Sequence, residues 1–347
     1  MVEKGTIHQR PMSSPQERLD LLLKAVGQTG NILILPHNDP DPDAIASAVA
    51  LQYLLTESLK VISNIAYKGI IGRAENKAMV RYLGHPLRSL TEADLNSLLP
   101  VALVDTQPGT GNNALPPTLT PALVIDHHPR HEASVKANFV DVRPDVGATS
   151  TMMAEYLQTA GIEPPAPLAT ALFYGIKTDT MGLGRGISPA DVSAYFFLQT
   201  RVDVEALVQI ERAQVPAEYF KSFDAALRAA RVYDGVVISY VGLMTYPDLA
   251  AELADLLLRL KGARWVICMG VHKDSLILAV RTRKQRGAGQ LAREIVGSKG
   301  SAGGHTNMAG GYIPLRGQDP EEMALHLRQE ALQHLEISAV TTGKALI

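Results

Sequence analysis

A carboxylate followed by two imidazoles, Asp126-His127-His128, closes the apolar run Ala122 to Ile125. The run reads as a short buried strand. Such a triplet at a strand's carboxyl end is poor material for a core and good material for holding a metal ion. Adjacent residues on an extended chain point to opposite sides, so one imidazole can bind metal while the other faces a substrate. Three further acidic clusters stand at comparable places: His37-Asn-Asp39-Pro-Asp41-Pro-Asp43, Asp105 after Val101 to Val104, and Thr178-Asp179 after a helical stretch. Asp39 and Asp41 each precede a proline, which pushes both toward extended backbone, where alternate side chains share a face. Asp43 stands where a helix begins, and capping that helix would be its ordinary role. Carboxylates clustered in this way repel one another unless a cation neutralises them. A single aspartate at a strand end or a helix end is commonplace. Four clusters of one chemistry point to a site for two metal ions. His131 is assigned to an exposed loop, as are His8, His85, His272, His326 and His334, which lack ligand-like neighbours in sequence.

A second segment, Gly300-Ser-Ala-Gly303-Gly304-His305-Thr-Asn-Met-Ala-Gly310-Gly311, has a different chemistry. Glycines permit close backbone approach and leave N–H groups open to anions. An isolated run of this kind is a flexible turn. With His305 embedded and the basic strand end Arg281-Thr-Arg283-Lys284 upstream, it reads as an anion site.

The elements that must position these residues follow from periodicity. Pro15 to Val26 is an amphipathic helix and Asn31 to Leu35 an apolar strand. After the Pro/Asp loop, Ala44 to Leu55 is helical. Val61 to Tyr67, Val101 to Val104 and Ala122 to Ile125 are further strands. Ala74 to Leu83, Thr149 to Thr159 and Leu168 to Lys177 are helices. Short apolar strands alternating with helices predict a parallel α/β sheet, with ligands at the strands' carboxyl ends. This first domain spans 1–187. Residues 188–234 carry helices (Asp191 to Gln199, Pro216 to Ala230) and form a helical connector. A smaller, mixed α/β C-terminal domain spans 235–340, with strands Val236 to Val241, Arg264 to Val271, Leu276 to Arg283 and Gly311 to Leu315. Its helices are Leu249 to Leu260, Gln290 to Val296 and Pro320 to His334. The tail from Ile337 is expected to fray.

Composition bounds the rest. The 347 residues suit two domains, and 46% apolar content suffices for two cores. A net charge of −2 provides no global basic field for long duplex nucleic acid. Aromatic residues are only 5% of the chain, with Trp265 the single tryptophan, so an aromatic platform for long single strands is missing. Cys268, the one cysteine, rules out an intrachain disulfide or thiolate cluster. The polar start, Met1 to Arg10, has no secretory core, and no apolar run reaches membrane-spanning length. A cytoplasmic protein without membrane partners is expected.

The chain resembles the DHH phosphoesterase superfamily over nearly its full length. The family's first motif, His-x-x-Pro-Asp-x-Asp-Ala-Ile-x-Ser, reads here His37-Asn-Asp-Pro40-Asp41-Pro-Asp43-Ala-Ile-Ala-Ser47. The second is the strand-end Asp105, the third Asp126-His127-His128, and the fourth Gly175-Ile-Lys-Thr-Asp179-Thr180. Pro42 stands where many members carry Gly. The glycine segment resembles the Gly-Gly-Gly-His-x-x-Ala-Ala-Gly motif of the DHH-associated C-terminal domain, with Ala302, Thr306 and Met308 as departures.

The resemblance implies that His37 and Asp41 hold one metal, that Asp43, His127 and Asp179 hold a second, and that Asp105 bridges them. His128 would reach a phosphate oxygen, and Asp126 would orient His127. Asp105 and His128 are then the catalytic pair. Oxygen-rich ligation with one imidazole per ion suits Mn²⁺, with Mg²⁺ acceptable. Asp39 falls at no ligand position. Arg281 matches the family's substrate-binding arginine, with Gly303, Gly304 and His305 beside it. Arg185, on the loop Gly182-Leu-Gly-Arg185, is a further phosphate-binding candidate.

The two-domain layout is similar to the standalone nano-RNase and pAp-phosphatase branch. That branch implies short RNA oligonucleotides, dinucleotides and 3′-phosphoadenosine-5′-phosphate as substrates. Two alternatives stay open: a phosphoanhydride hydrolase such as a pyrophosphatase, and a catalytically silent nucleotide-binding module. Oligomeric state stays open too, a homodimer being one candidate.

Overall fold

The computed structural model describes residues 14–27, 30–97, 99–283, 287–304, 306–338 and 342–347. The chain divides into two compact units, Met1–Ala213 and Gln214–Ile347.

In the first unit, helix α1 (Pro15–Val26) precedes strand β1 (Asn31–Pro36), α2 (Pro42–Leu59), β2 (Ile62–Tyr67), α3 (Ala74–Tyr82), β3 (Leu87–Ser89), α4 (Glu92–Asn96) and β4 (Val101–Val104). Then come β5 (Leu123–Asp126), β6 (Phe139–Val142), α5 (Thr149–Thr159), α6 (Ala166–Asp179), α7 (Pro189–Gln199) and α8 (Val204–Glu211). The six strands form one parallel sheet in the order β3-β2-β1-β4-β5-β6. Both faces are buried. Ile32, Ile34, Ala102, Val104, Leu123 and Ile125 pack under α1, α2, α5 and α6, while Leu33, Leu35, Leu103 and Val124 face the other way. This double burial explains why the strands read as unbroken apolar runs rather than alternating ones.

The chain runs outward through β1, β2 and β3, then returns to lay β4 on the other side of β1. In open α/β sheets such a reversal leaves a crevice beyond the strand ends. His37 leaves β1 and Asp105 leaves β4 at that point, with Asp126 ending the next strand.

The segment read as a connector is shared between the units. Helices α7 and α8 pack on α5, α6 and α3 of the first unit, whereas α9 (Ala217–Ala229) and β7 (Arg231–Tyr233) pack on β8 (Val236–Leu243) in the second. The second unit continues with α10 (Leu249–Leu257), β9 (Trp265–His272), β10 (Ser275–Thr282), α11 (Ala288–Val296), β11 (Ser301–Gly304), β12 (Met308–Pro314), α12 (Pro320–His334) and β13 (Lys344–Ala345). Its sheet has the order β11-β12-β10-β9-β8-β7-β13 and is antiparallel except for β8 beside β9, which α10 connects. Helices α11 and α12 cover one face and α9 and α10 the other.

Two expectations change here. The glycine run is not a turn before a strand but a strand itself: β11 pairs with β12, Gly303 opposite Gly310 and Gly304 opposite Ala309. At Gly300 a Cβ would lie 2.0 Å from the Tyr312 carbonyl oxygen, so close backbone packing requires glycine there. The chain's end also does not fray over 342–347. Lys344 and Ala345 pair with β7, and the Leu346 amide donates to the Ala230 carbonyl at 3.2 Å. Among the described residues no helix is long and apolar enough to cross a membrane.

Candidate metal centre

In the Pro/Asp loop Asp41 is extended, as expected, and Asp39 is not. Asp39 takes the left-handed conformation, at φ 53°. Its Oδ1 accepts the Ile70 amide at 2.7 Å, and its own amide donates to the Lys68 carbonyl. Its carboxylate therefore ties two loops together. Asp41, not Asp43, is the N-cap of α2 and accepts the Ala44 amide at 3.0 Å. Asp43 sits one residue inside the helix, behind Pro42, and is fully buried. Its carboxylate caps another helix. The N-cap residue of α5 is Ala148, which has no side-chain acceptor, and Asp43 instead accepts the Thr149 and Ser150 amides, both at 2.7 Å. Positive partial charge at a helix start favours a carboxylate in that place.

Asp105 also has positive φ, 58°, a conformation that aspartate tolerates better than most residues. Thr149 Oγ1 donates to its Oδ1 at 2.8 Å. Its two oxygens face different imidazoles: Oδ2 lies 3.6 Å from His37 Nε2, and Oδ1 lies 3.6 Å from His127 Nε2. His37 Nε2 is also 3.6 Å from Asp41 Oδ1, and His127 Nε2 is 3.5 Å from Asp179 Oδ2. The groups His37–Asp41–Asp105 and Asp43–His127–Asp179 each bring their ligand atoms within 4.8 Å of one another. Asp105, His127 and His128 form a third such group.

Hydrogen bonds at the other ring nitrogens settle the neutral tautomers. His37 Nδ1 lies 2.8 Å from the Asn38 carbonyl and His127 Nδ1 lies 3.2 Å from the Val146 carbonyl. A carbonyl can only accept, so both Nδ1 atoms carry hydrogen. In the neutral ring each Nε2 lone pair then points at carboxylates, which is favourable only with a proton or a metal cation between them. Buried carboxylates, two imidazoles and hard oxygen donors fit a pair of divalent ions.

Asp126 corrects one expectation. Its Oδ1 lies 2.8 Å from His128 Nδ1, so it orients His128 and not His127. Its Oδ2 accepts from Gln107 Nε2 at 2.6 Å. Gln107 is buried and also accepts from the His131 amide and Ser134 Oγ, fixing the loop after β5. A lone glutamine after Asp105 carries no signal in sequence that would have singled it out.

Electrostatics show how hard the cluster is to ionise without cations. Two like charges about 4 Å apart repel by about 4 kcal/mol at an effective dielectric near 20. Burial, then the Asp105 charge, raises Asp43 to about 7. Burial raises Asp105 to about 6, and burial with Asp41 and Asp43 raises Asp179 well above the carboxylate range. Burial opposes a charge on His37, but Asp41 and Asp105 outweigh it and lift His37 to about 10. Burial opposes a charge on His128 too, and Asp126 and Asp105 lift it to about 9. His127 is held below its ordinary value by burial and by His128. Protons here occupy places that cations would take.

The residues expected to contact substrate stand in different surroundings. Arg185 lies beside the centre, its Nη2 donating to the Asp179 carbonyl at 2.6 Å. Arg281 is buried, with Nε 2.5 Å from Asp255 Oδ1 and Nη1 on the Val280 carbonyl, so its guanidinium already has a protein anion as partner. Gly303 is open, with nothing within 4 Å of a Cβ placed on it, while a Cβ on Gly304 would strike Ala309 and the Met308 carbonyl. His305 lies outside the described residues.

Because Asp39 serves the loop, Asp39→Ala is expected to keep divalent-cation affinity within about threefold of the parent. It should cost roughly 2 kcal/mol of stability through the lost hydrogen bond and the left-handed backbone. Titration with Mn²⁺ and a thermal melt would check this, and loss of binding would place Asp39 among the ligands.

Comparison with known proteins agrees with this architecture. Residues 31–176 match the model of the DHH family, N-terminal domain. An uncharacterized protein of Methanocaldococcus jannaschii is 38% identical over 287 residues, which is 82% of this chain and 58% of that protein, so the match spans little more than half the relative's length. A bifunctional oligoribonuclease and PAP phosphatase of Thermus thermophilus is 25% identical over 311 residues, covering 87% of this chain and 88% of that one. Among solved structures, an exopolyphosphatase-related protein from Bacteroides fragilis superposes with a TM-score of 0.68 at 16% identity, covering 92% of this chain and 96% of that chain, which shows a shared fold. Residues 31–176 of this chain are thus similar to the N-terminal domain of the DHH family, and a second compact unit, Gln214–Ile347, follows.

Proposed function

We propose that the chain is a metal-dependent phosphoesterase that hydrolyses short RNA oligonucleotides, dinucleotides included, and 3′-phosphoadenosine-5′-phosphate. The observation that carries the phosphoesterase reading is the placement of Asp105, whose two oxygens each face a separate imidazole–carboxylate group. His37, Asp41 and Asp105 would hold one ion, and Asp43, His127, Asp179 and Asp105 the other. Divalent ions there would supply Lewis-acid stabilisation of phosphoryl oxygens and activation of water. Imidazole and carboxylate donors favour Mn²⁺, with Mg²⁺ also accommodated.

The chain's own residues do the rest. His128 has its Nδ1 held by Asp126 and its side chain 35% exposed, so its ring can be reached by a substrate oxygen. Asp126 favours the protonated ring against burial, and a protonated His128 would donate to a phosphoryl oxygen as charge builds there. Arg185, anchored on the Asp179 carbonyl, adds positive charge beside the same centre. The substrate class is supported by the Thermus thermophilus relative, which matches along most of both chains and is named for these two activities.

The test is turnover of a panel of pApA, pGpG, longer RNA oligomers, pAp and pyrophosphate with Mn²⁺, against a chelated control. Cleavage of dinucleotides or pAp that chelator removes is the expected result. Cleavage of pyrophosphate alone would overturn the substrate class, and no turnover on any of them would overturn the enzyme reading.

A further inference from the structure

Asp191 lies on α7, beyond the residues matched to the DHH family, and its side chain is fully buried. Part of its bonding is local. Ser188, the N-cap of α7, donates its amide and hydroxyl to Asp191 Oδ2 at 2.7 and 2.8 Å, completing a capping box. A capping box does not require burial, and it does not explain the remaining contacts. The Gly147 amide donates to both Asp191 oxygens, at 3.0 and 2.9 Å, and Thr151 Oγ1 donates to Oδ1 at 2.6 Å. Both donors flank the junction of β6 and α5.

That junction touches three members of the metal centre. The Val146 carbonyl takes the Nδ1 hydrogen of His127, the Thr149 and Ser150 amides hold Asp43, and Thr149 Oγ1 holds Asp105. Gly147 sits between these contacts in a space without slack: a Cβ there would lie 2.7 Å from Thr180 Cγ2, 3.1 Å from the Gly186 carbonyl oxygen and 3.2 Å from Asp191 Cγ. Thr180 and Gly186 bracket the loop that follows Asp179. The Asp191 carboxylate therefore fixes the backbone on which His127, Asp43 and Asp105 all lean.

We infer that Asp191 is a positioning residue for the metal centre, acting through Gly147 and Thr151, and that α7 is part of the site's scaffold and not a link between domains. The inference rests on the metal reading above. Residues that orient ligands from outside typically change metal affinity by about 10–100-fold when removed.

The test uses the full chain in three variants. Asp191→Asn keeps size but puts amide hydrogens against donors. Thr151→Val removes one clamp contact with little change of shape. Ser188→Ala removes the capping hydroxyl and leaves the clamp. Mn²⁺ affinity is expected to fall about 10–100-fold in Asp191→Asn, a few-fold in Thr151→Val, and less than twofold in Ser188→Ala. Hydrogen exchange of the Gly147, Thr149 and Ser150 amides in chelated protein gives a readout that needs no metal. Those amides should exchange faster in Asp191→Asn and remain protected in Ser188→Ala. If Asp191→Asn does not fold, Thr151→Val against Ser188→Ala carries the same comparison. Unchanged Mn²⁺ affinity and unchanged exchange in the clamp variants would reduce Asp191 to a helix cap and overturn the inference. Faster exchange in a chain whose parent binds no Mn²⁺ would uphold the clamp and overturn the metal reading instead.

Discussion

Asp105→Asn is expected to lose divalent-cation-dependent turnover by on the order of 10³-fold or more, while the chain stays folded. Asparagine is the informative replacement. Position 105 has φ 58°, which asparagine accepts and alanine does not, so the variant avoids backbone strain. Its Oδ1 can still accept from Thr149 Oγ1, so that buried donor keeps its partner. What it loses is charge: the amide cannot face His37 and His127 with two anionic oxygens. Removing that charge also relieves the carboxylates around it, since Asp105 is the largest neighbouring charge that raises Asp43. It also takes from His37 and His128 a charge that raises both, so relief and loss oppose each other and the chelated variant should melt close to the chelated parent. Activity would fall with little change in apo stability, a pattern expected of a residue retained for function. Turnover within tenfold of the parent would show that Asp105 does not join the two groups. A melt far below the parent would show that its role is structural.

Most of the centre was legible because its chemistry is concentrated in short runs. Asp126-His127-His128 and the Pro/Asp loop each place several rare residue types together, and the parallel sheet carries both to one edge. The apolar strands β1, β4 and β5 were legible for the same reason that they are buried on both faces. Hydrogen-bond partners were not legible, because they come from far along the chain. Asp43 caps α5 across 106 residues, and Asp191 reaches Gly147 across 44. Neither pairing leaves a pattern in either segment. Asp39 misled for a local reason. The proline after it argues for extended backbone, yet the carboxylate's bond to the Ile70 amide stabilises a left-handed turn. Short strands escaped as well: β3 has three residues and β6 carries the buried Asp141, whose charge is offset by Arg143 and Tyr156. The glycine run read as a turn because β-propensity undervalues glycine, whereas here the missing side chains let β11 and β12 approach.

The stabilisation given by Mn²⁺ should grow steeply with pH. In chelated protein Asp43 rises to about 7 and Asp105 to about 6, both above the 3.8 of an unperturbed aspartate. Between pH 4 and 7 the folded chain thus holds protons that the unfolded chain has released. Stability from these two groups is full below about pH 4 and is lost as pH climbs through 6 and 7. His37, raised to about 10, acts in the same direction at higher pH: its contribution is full below 6.5 and is lost through 10. Asp41, held low by His37 once the opposing effect of burial is overcome, works the other way and contributes above the ordinary carboxylate range. The two raised carboxylates dominate between pH 5 and 8, so chelated protein should weaken across that window. A cation occupying the centre replaces the protons and removes the repulsion. The gap between Mn²⁺-loaded and chelated protein should widen from pH 5 to pH 8 by on the order of several kcal/mol, roughly ten degrees in Tm for a unit of this size. Calorimetry in two buffers of different ionisation enthalpy should show protons released on binding at pH 6. In Asp105→Asn both the widening and the proton release should shrink. A shift that is constant across pH, or larger at pH 5, would mean that Mn²⁺ does not bind among Asp43, Asp105 and His37.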